Sequence, residues 1–227
     1  YKRYRQKLNN IGKEIIACGE SGDGWRLPDI VALCEVENDS VMRDLTKRSL
    51  LRNSRYEYVM TQSPDVRGID VALMFSPSSF HIISHRSIRV TPLKDMRPTR
   101  DILYANGLII NGDTLHVFVV HAPSRYGGER ATRPYRMQVA ATLAAAIDSI
   151  YSISPEAPIL VAGDFNDYHD DPAPRSLYQH GLNNITAQAK GCNGAQGTYK
   201  FMGEWRSIDH IMASPKMTER LMEAHIA

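Results

Sequence analysis

The apolar run Pro158-Ile159-Leu160-Val161 gives way through Ala162 to Gly163-Asp164-Phe165-Asn166-Asp167. An uninterrupted run of this length, with Pro before it and Gly after, predicts a buried strand. The strand ends in acid. Side chains two apart on an extended chain share a face, so Asp164 and Asn166 point one way and Phe165 the other. A carboxylate and an amide side by side at a buried strand end can hold a cation or position a water. A plain Asp-Asn turn closing the strand is the alternative.

The same design recurs along the chain. Pro28 to Cys34 is a second apolar run, and it ends in Glu35-Val36-Glu37-Asn38. Gly68 to Phe75 is a third, interrupted only by Asp70, and a lone acid in such a run needs a partner. Leu115 to Val120 is a fourth, ending in His121-Ala122-Pro123-Ser124-Arg125. A fifth, Ser207 to Ala213, carries Asp209 near its middle. Strand ends in layered folds converge on clefts, so these polar ends are read together as a candidate site.

Helical patterns separate the strands. Leu8, Ile11, Ile15 and Ile16 mark an amphipathic helix over residues 3–18 that is already under way at Tyr1, broken by the stretch Gly19 to Gly24. Asn38 or Asp39 caps a helix over residues 40–51, and residues 129–150 form the longest helical pattern. Tyr56 to Thr61 and residues 80–90, 102–110 and 114–121 read as strands, with an Asn111-Gly112-Asp113 hairpin turn between the last two. Residues 167–195 are irregular apart from a helical piece near 174–180, and residues 215–224 are expected to turn helically. Helices interspersed with hairpins and buried strands imply sheet layers covered by helices, in an α/β fold. There is no repeat, low-complexity segment or linker, so one domain over residues 1–227 is expected.

The formal charge of +2 in 227 residues argues against a dedicated nucleic-acid coat but leaves room for a local basic cleft. Cys18, Cys34 and Cys192 show no Cys-x-x-Cys spacing, so neither a disulfide framework nor a zinc site is indicated. No segment approaches the roughly 18–20 apolar residues that span a bilayer. The compartment is not legible.

Phosphodiester hydrolysis needs an oriented water, neutralised phosphoryl oxygens and a stabilised leaving group. Mg2+ suits the last two and is typically held by one or two carboxylates plus waters. Glu35 can supply that carboxylate, Asp164 and Asn166 can position the water, and His121 as imidazolium can donate to the phosphoryl group or the leaving oxygen. Asp70 is expected to orient His121 and keep it charged. Arg67, Arg100 and Arg125 lie beside these positions and are candidates for binding phosphate oxygens. Tyr199 and Trp205 are read as packing residues, with an aromatic wall for a base or sugar ring as the alternative.

Cys34-Glu35-Val36-Glu37-Asn38, Ser63-Pro64-Asp65-Val66-Arg67-Gly68-Ile69-Asp70-Val71-Ala72-Leu73, Val120-His121-Ala122-Pro123-Ser124-Arg125, Gly163 to Asp167 and Ile208-Asp209-His210-Ile211 resemble, in order, the motifs of the endonuclease/exonuclease/phosphatase superfamily, which includes deoxyribonuclease I. The resemblance runs from about residue 7 to residue 214. It implies a four-layered α/β sandwich of the deoxyribonuclease I type, two packed mixed β-sheets flanked by helices. It places the metal on Glu35, the catalytic imidazole on His121, the Asp-Asn pair on Asp164 and Asn166, and an orienting carboxylate on Asp209. The activity it implies is Mg2+-dependent hydrolysis of phosphate esters, with Mn2+ as a substitute metal, by a monomeric nuclease or phosphodiesterase acting on substrates that include nucleic acid. A phosphomonoesterase of the same family and a non-catalytic binding module are the alternatives. The family normally opens with a strand ending in Asn and closes with a strand carrying Ser-Asp-His; both are expected to lie outside this sequence, before Tyr1 and after Ala227. His210 matches a position that is not catalytic and is expected to be structural.

Overall fold

The computed structural model describes residues 2–21, 24–191 and 194–226. Tyr1, Cys192, Ala227 and the Gly22-Asp23 part of the expected helix breaker lie outside the described residues. Strand alternation builds the layers. In the smaller sheet, β1 (Ile30–Val36), β2 (Glu57–Met60) and β3 (Asp70–Phe75) run antiparallel in the order β1-β3-β2. On β3, Val71, Leu73 and Phe75 face the second sheet, while Ala72 and Met74 face Leu8 and Ile15 of α1 (Lys2–Ala17) and Met42 and Leu45 of α2 (Asp39–Arg48). The larger sheet comprises β4 (Phe80–Ile88), β5 (Ile102–Ile109), β6 (Thr114–His121), β7 (Ile159–Asp164), β8 (Asn183–Asn184) and β9 (Asp209–Ala213), ordered β8-β9-β7-β6-β5-β4. Its Leu103, Ala105, Val117 and Val119 meet the smaller sheet. Its Tyr104, Phe118, Val120 and Val161 pack on Val139, Leu143 and Ile147 of α3 (Glu129–Tyr151) and Leu177 of α4 (Pro172–Tyr178). The layers are therefore helix, sheet, sheet, helix. Each fully buried Val, Leu, Ile, Phe or Met among them contributes about 1.5–3 kcal/mol, spread over three clusters, one under each helix layer and one between the sheets.

Three local features position the site. The β6/β7 pair is parallel, joined by the α3 crossover, so His121 and Asp164 emerge side by side at the ends of neighbouring strands. β9 runs antiparallel to β7 and starts at Asp209, directly opposite Asp164. In β1 the register shifts between Leu33 and Val36, a bulge that leaves Glu35 with φ +58°. The helix expected over residues 215–224 is shorter, α5 (Pro215–Thr218). No helix among the described residues is long and apolar enough to cross a membrane.

Candidate active site

The row His121, Asp164, Asp209 depends on a close approach of β6 and β7. At Gly163, with φ +149°, a Cβ would lie 1.9 Å from the Val120 carbonyl oxygen. Any other residue would push β7 away and carry Asp164 with it. His121 Nε2 lies 3.5 Å from Asp164 Oδ2, and its buried Nδ1 has no hydrogen-bond partner. Burial lowers the His121 pKa to about 3, and the cations Arg100 and Arg67 add to the effect. Burial raises Asp164 to about 7, with the charges of Asp209 and Glu35 pushing the same way against the Asn166 N–H and Arg100. Asp209 is also raised by burial, opposed by its hydrogen bond with Thr198. Burial and the two cations thus oppose the expected imidazolium, with Asp65 and the Asp164 carboxylate at 3.5 Å acting the other way.

Asn166 is held in the left-handed region, φ +51°, a conformation that costs on the order of 1–3 kcal/mol and persists only where the surroundings enforce it. They do so from several sides. Its N–H donates to Asp164 Oδ1 at 2.8 Å, and its amide nitrogen donates to the Ala122 carbonyl at 3.0 Å. Its own carbonyl accepts from Arg125 Nε at 2.9 Å. The next residue, Asp167, is buried and receives Arg125 at 3.0 Å and the wholly buried Arg136 at 2.7 Å, the latter contact lying off the N–H direction. His210 Nε2 lies 2.9 Å from the Asp167 carbonyl and donates to it, so this imidazole supports the loop. Arg125 also binds Asp171 and lies 4.3 Å over the Tyr168 ring. Three of its contacts go to the loop, through Nε and one terminal nitrogen, so the guanidinium expected to bind phosphate also serves as the loop's anchor.

The opposite rim is looser. The Glu35 side chain is 64% exposed, and Arg67, 53% exposed, lies 3.5 Å from it. Beneath them Arg100 is buried, donating to Asp65 at 3.2 Å and to the Ala122 carbonyl at 2.8 Å, with its Nε unpartnered. Asp65 also accepts from the Arg67 N–H at 2.9 Å. Asp65, two residues before Arg67 in the same motif, thus anchors both cations of the rim. Asp70 is elsewhere engaged: its Oδ1 accepts from Thr61 Oγ1 and the Ser63 N–H, both at 2.8 Å. No hydrogen bond or ion pair joins Asp70 to His121, so the expected orienting pair is replaced by His121 and Asp164.

Among the described residues no three His, Cys, Asp or Glu side chains form a metal cage. The donors present are hard oxygens, and Glu35 is accessible. Burial is the main cause of the raised Asp164 pKa, and the part added by the charges of Asp209 and Glu35 is repulsion that a cation would relieve. One or two carboxylates completed by water is the arrangement Mg2+ prefers.

A ribbon of Tyr199–Phe201 paired with Glu204–Arg206 flanks the site. Tyr199 is 41% exposed, so it does not pack in the core as expected.

Comparison with solved structures shows the same fold in the catalytic domain of human Nocturnin with bound sulfate, at 20% identity and a TM-score of 0.68, covering 94% of this chain and 75% of that one. A mannosyl-6-phosphatase from Bacteroides thetaiotaomicron matches at 17% identity and TM-score 0.69, covering 93% and 78%. D. rerio TDP2 complexed with a single-strand DNA product matches at 18% and 0.61, covering 95% and 78%. No curated protein matches significantly in sequence. A sequence profile of the endonuclease/exonuclease/phosphatase family matches residues 1–225. With that match over nearly its whole length, and with two sheets between helix layers, the chain belongs to the endonuclease/exonuclease/phosphatase family.

Proposed function

We propose that this protein is a Mg2+-dependent hydrolase of phosphate esters, acting as a nuclease or phosphodiesterase, with His121, Asp164, Asn166 and Asp209 at its reacting centre. The observation that carries the reading is the geometry at Asp164: a largely buried carboxylate fixed by the Asn166 N–H, opposite Asp209 and 3.5 Å from a buried imidazole, where burial raises its pKa. A general base works best with a pKa near the working pH. Asp164 Oδ2 takes the proton of the attacking water, while Oδ1 stays fixed by the Asn166 N–H. One N–H of the Asn166 amide is fixed on the Ala122 carbonyl, which orients the side chain and leaves its oxygen to accept a hydrogen bond from that water. His121 is neutral and donates through one ring N–H. Arg67 reaches the phosphoryl oxygens from the rim, backed by the buried charge of Arg100. Glu35 would hold the metal, which when bound supplies charge neutralisation at the phosphoryl oxygens.

The test is hydrolysis in Mg2+ or Mn2+ of single-stranded and duplex DNA, bis-p-nitrophenyl phosphate, a phospholipid and a sugar monophosphate. Hydrolysis that EDTA and Asp164→Ala both abolish is expected. A rate no greater than that of Asp164→Ala on every substrate sinks the proposal. Turnover of the monoester alone selects the phosphomonoesterase reading, which draws on the likeness to the mannosyl-6-phosphatase.

A further inference from the structure

We propose that Arg100 is a positioning residue that joins the two sides of the cleft, fixing with one guanidinium both the turn that carries Arg67 and the amide of Asn166. What those two groups do for the reaction rests on the phosphoesterase reading above; the link between them rests on its own geometry.

Arg100 lies in the buried stretch Thr99-Arg100-Asp101 that leads into β5. Its backbone is tied down at the next residue, where the Asp101 N–H donates to Ser63 Oγ at 3.0 Å. The Arg100 side chain is 6% exposed and that of Asp65 4%. Burial lowers the Arg100 pKa against the pull of Asp65, and its Nε, buried as well, has no hydrogen-bond partner among the described residues. A buried charge of this kind adds less stability than apolar side chains filling the same space. What it adds instead is two contacts in fixed directions.

Toward the rim, Arg100 Nη1 donates to Asp65 Oδ2 at 3.2 Å. Asp65 in turn builds the turn of Arg67. Its Oδ1 accepts the Arg67 N–H at 2.9 Å, and its carbonyl accepts the Gly68 N–H at 3.0 Å, with Gly68 at φ +64°. The Arg67 guanidinium can swing, but the backbone that aims it is held. Toward the sheet side, Arg100 Nη2 donates to the Ala122 carbonyl at 2.8 Å, and the same oxygen accepts the Asn166 amide at 3.0 Å. The Ala122 N–H donates to the Asp164 carbonyl at 2.8 Å. One peptide group therefore meets the guanidinium, the amide and the strand end of Asp164. The two terminal nitrogens of a guanidinium are rigidly related, so a shift of the rim turn is felt at the Ala122 carbonyl and from there at Asn166. A lysine would keep the charge and lose the fork.

The test is steady-state hydrolysis of bis-p-nitrophenyl phosphate in Mg2+ by Arg100→Lys, alone and combined with Asn166→Gly or Arg67→Ala, with urea unfolding of each protein. Glycine keeps the left-handed backbone at residue 166. Arg100→Lys should raise KM and lower kcat together, the latter roughly tenfold to a hundredfold. With Arg100 present, Asn166→Gly should act on kcat and Arg67→Ala on KM. In Arg100→Lys both effects should shrink by roughly threefold or more, because the groups removed are already misplaced. Effects of full size in both backgrounds, as a purely structural or purely electrostatic Arg100 would give, overturn the proposal. So does an Arg100→Lys enzyme with the kcat and KM of the wild type. If Arg100→Lys does not fold, Asp65→Asn breaks the rim half alone and should raise KM more than it lowers kcat; a wild-type KM then overturns the proposal. The link is also read without turnover, in NMR spectra of the Asn166 side-chain amide, whose signals should move and exchange faster with solvent in Arg100→Lys. Unchanged signals overturn the link. The expected change in a protein that hydrolyses no ester leaves the link standing and removes the proposed function.

Discussion

The two sides of the cleft are built differently. On the sheet side, Asp164 and Asn166 are held from behind by Arg125, Arg136 and His210, with His121 buried against them. On the rim, Glu35 and Arg67 are more than half exposed and meet across 3.5 Å. Both sides use a left-handed residue to aim a side chain, Asn166 on one and Glu35 on the other. Only Asn166 has its carbonyl, its amide and its following carboxylate all fixed. The sheet side is therefore set by folding, with its imidazole buried and its acid only 21% exposed, whereas the exposed rim is free to adjust.

The strongest way to break this contrast is to loosen the fixed side. Arg136→Met leaves the buried Asp167 carboxylate short of a cation, and removing one partner of a buried ion pair costs about 3–5 kcal/mol. The Asp164-Asn166 loop then drifts, and a misplacement near 1 Å lowers kcat roughly a hundredfold. Arg136→Met/Asp167→Leu replaces the pair by apolar groups, which is often nearly neutral for stability. Urea unfolding and steady-state kinetics on the same samples separate the two effects. The double variant should recover most of the stability and little of the rate; recovery of both would mean that the loop is not what sets the rate.

The strand ends that form the fixed side were readable one by one, because a buried strand that stops at a carboxylate or an imidazole leaves a mark in the sequence. Their partners were not. Asp209 lies opposite Asp164 because of the β7/β9 register, and a register is a pairing of segments about 45 residues apart. Arg125 reads like a phosphate ligand, and its anchor Asp171 lies 46 residues on. Asp70 could be assigned to His121 only while Thr61 and Ser63 were unplaced. The layer order was more accessible, since alternation along β3 and β6 writes both faces of each sheet into the chain. Tyr199 and Trp205 stand out in the sequence, but their pairing in one ribbon does not, because three residues on each side of Met202-Gly203 are too few to show a period.

The rim can be tested without touching the fold. Glu35→Gln removes the accessible carboxylate but no buried contact, and an exposed ion pair contributes only about 0–1 kcal/mol. Unfolding should stay close to that of the wild type. Calorimetric titration with Mg2+ should lose its binding heat, and kcat should fall roughly a hundredfold, as expected where a metal contributes several kcal/mol to the transition state. A variant that binds Mg2+ as tightly as the wild type would move the metal to the fixed side and erase the contrast.

The smallest effect tests the charge state of the fixed side, in EDTA. Asp164 is raised from 3.8 to about 7, so the folded protein holds this proton where the unfolded chain has lost it, and stability from this group falls as pH rises from about 4 to about 7. His121 is lowered from 6.5 to about 3, so the unfolded chain holds the extra proton, and stability from this group rises with pH between about 3 and 6.5. The two slopes oppose each other through most of that window. Asp164→Asn removes the falling one. The His121 shift survives it, because burial, Arg100 and Arg67 cause that shift. Relative to the wild type, the variant should gain stability with rising pH between about 4.5 and 6.5, by about 1 kcal/mol per pH unit, as read from urea midpoints. Parallel pH profiles for the two proteins would mean that Asp164 is ionised across this range, and that the fixed side, like the rim, waits for a ligand to settle its charge.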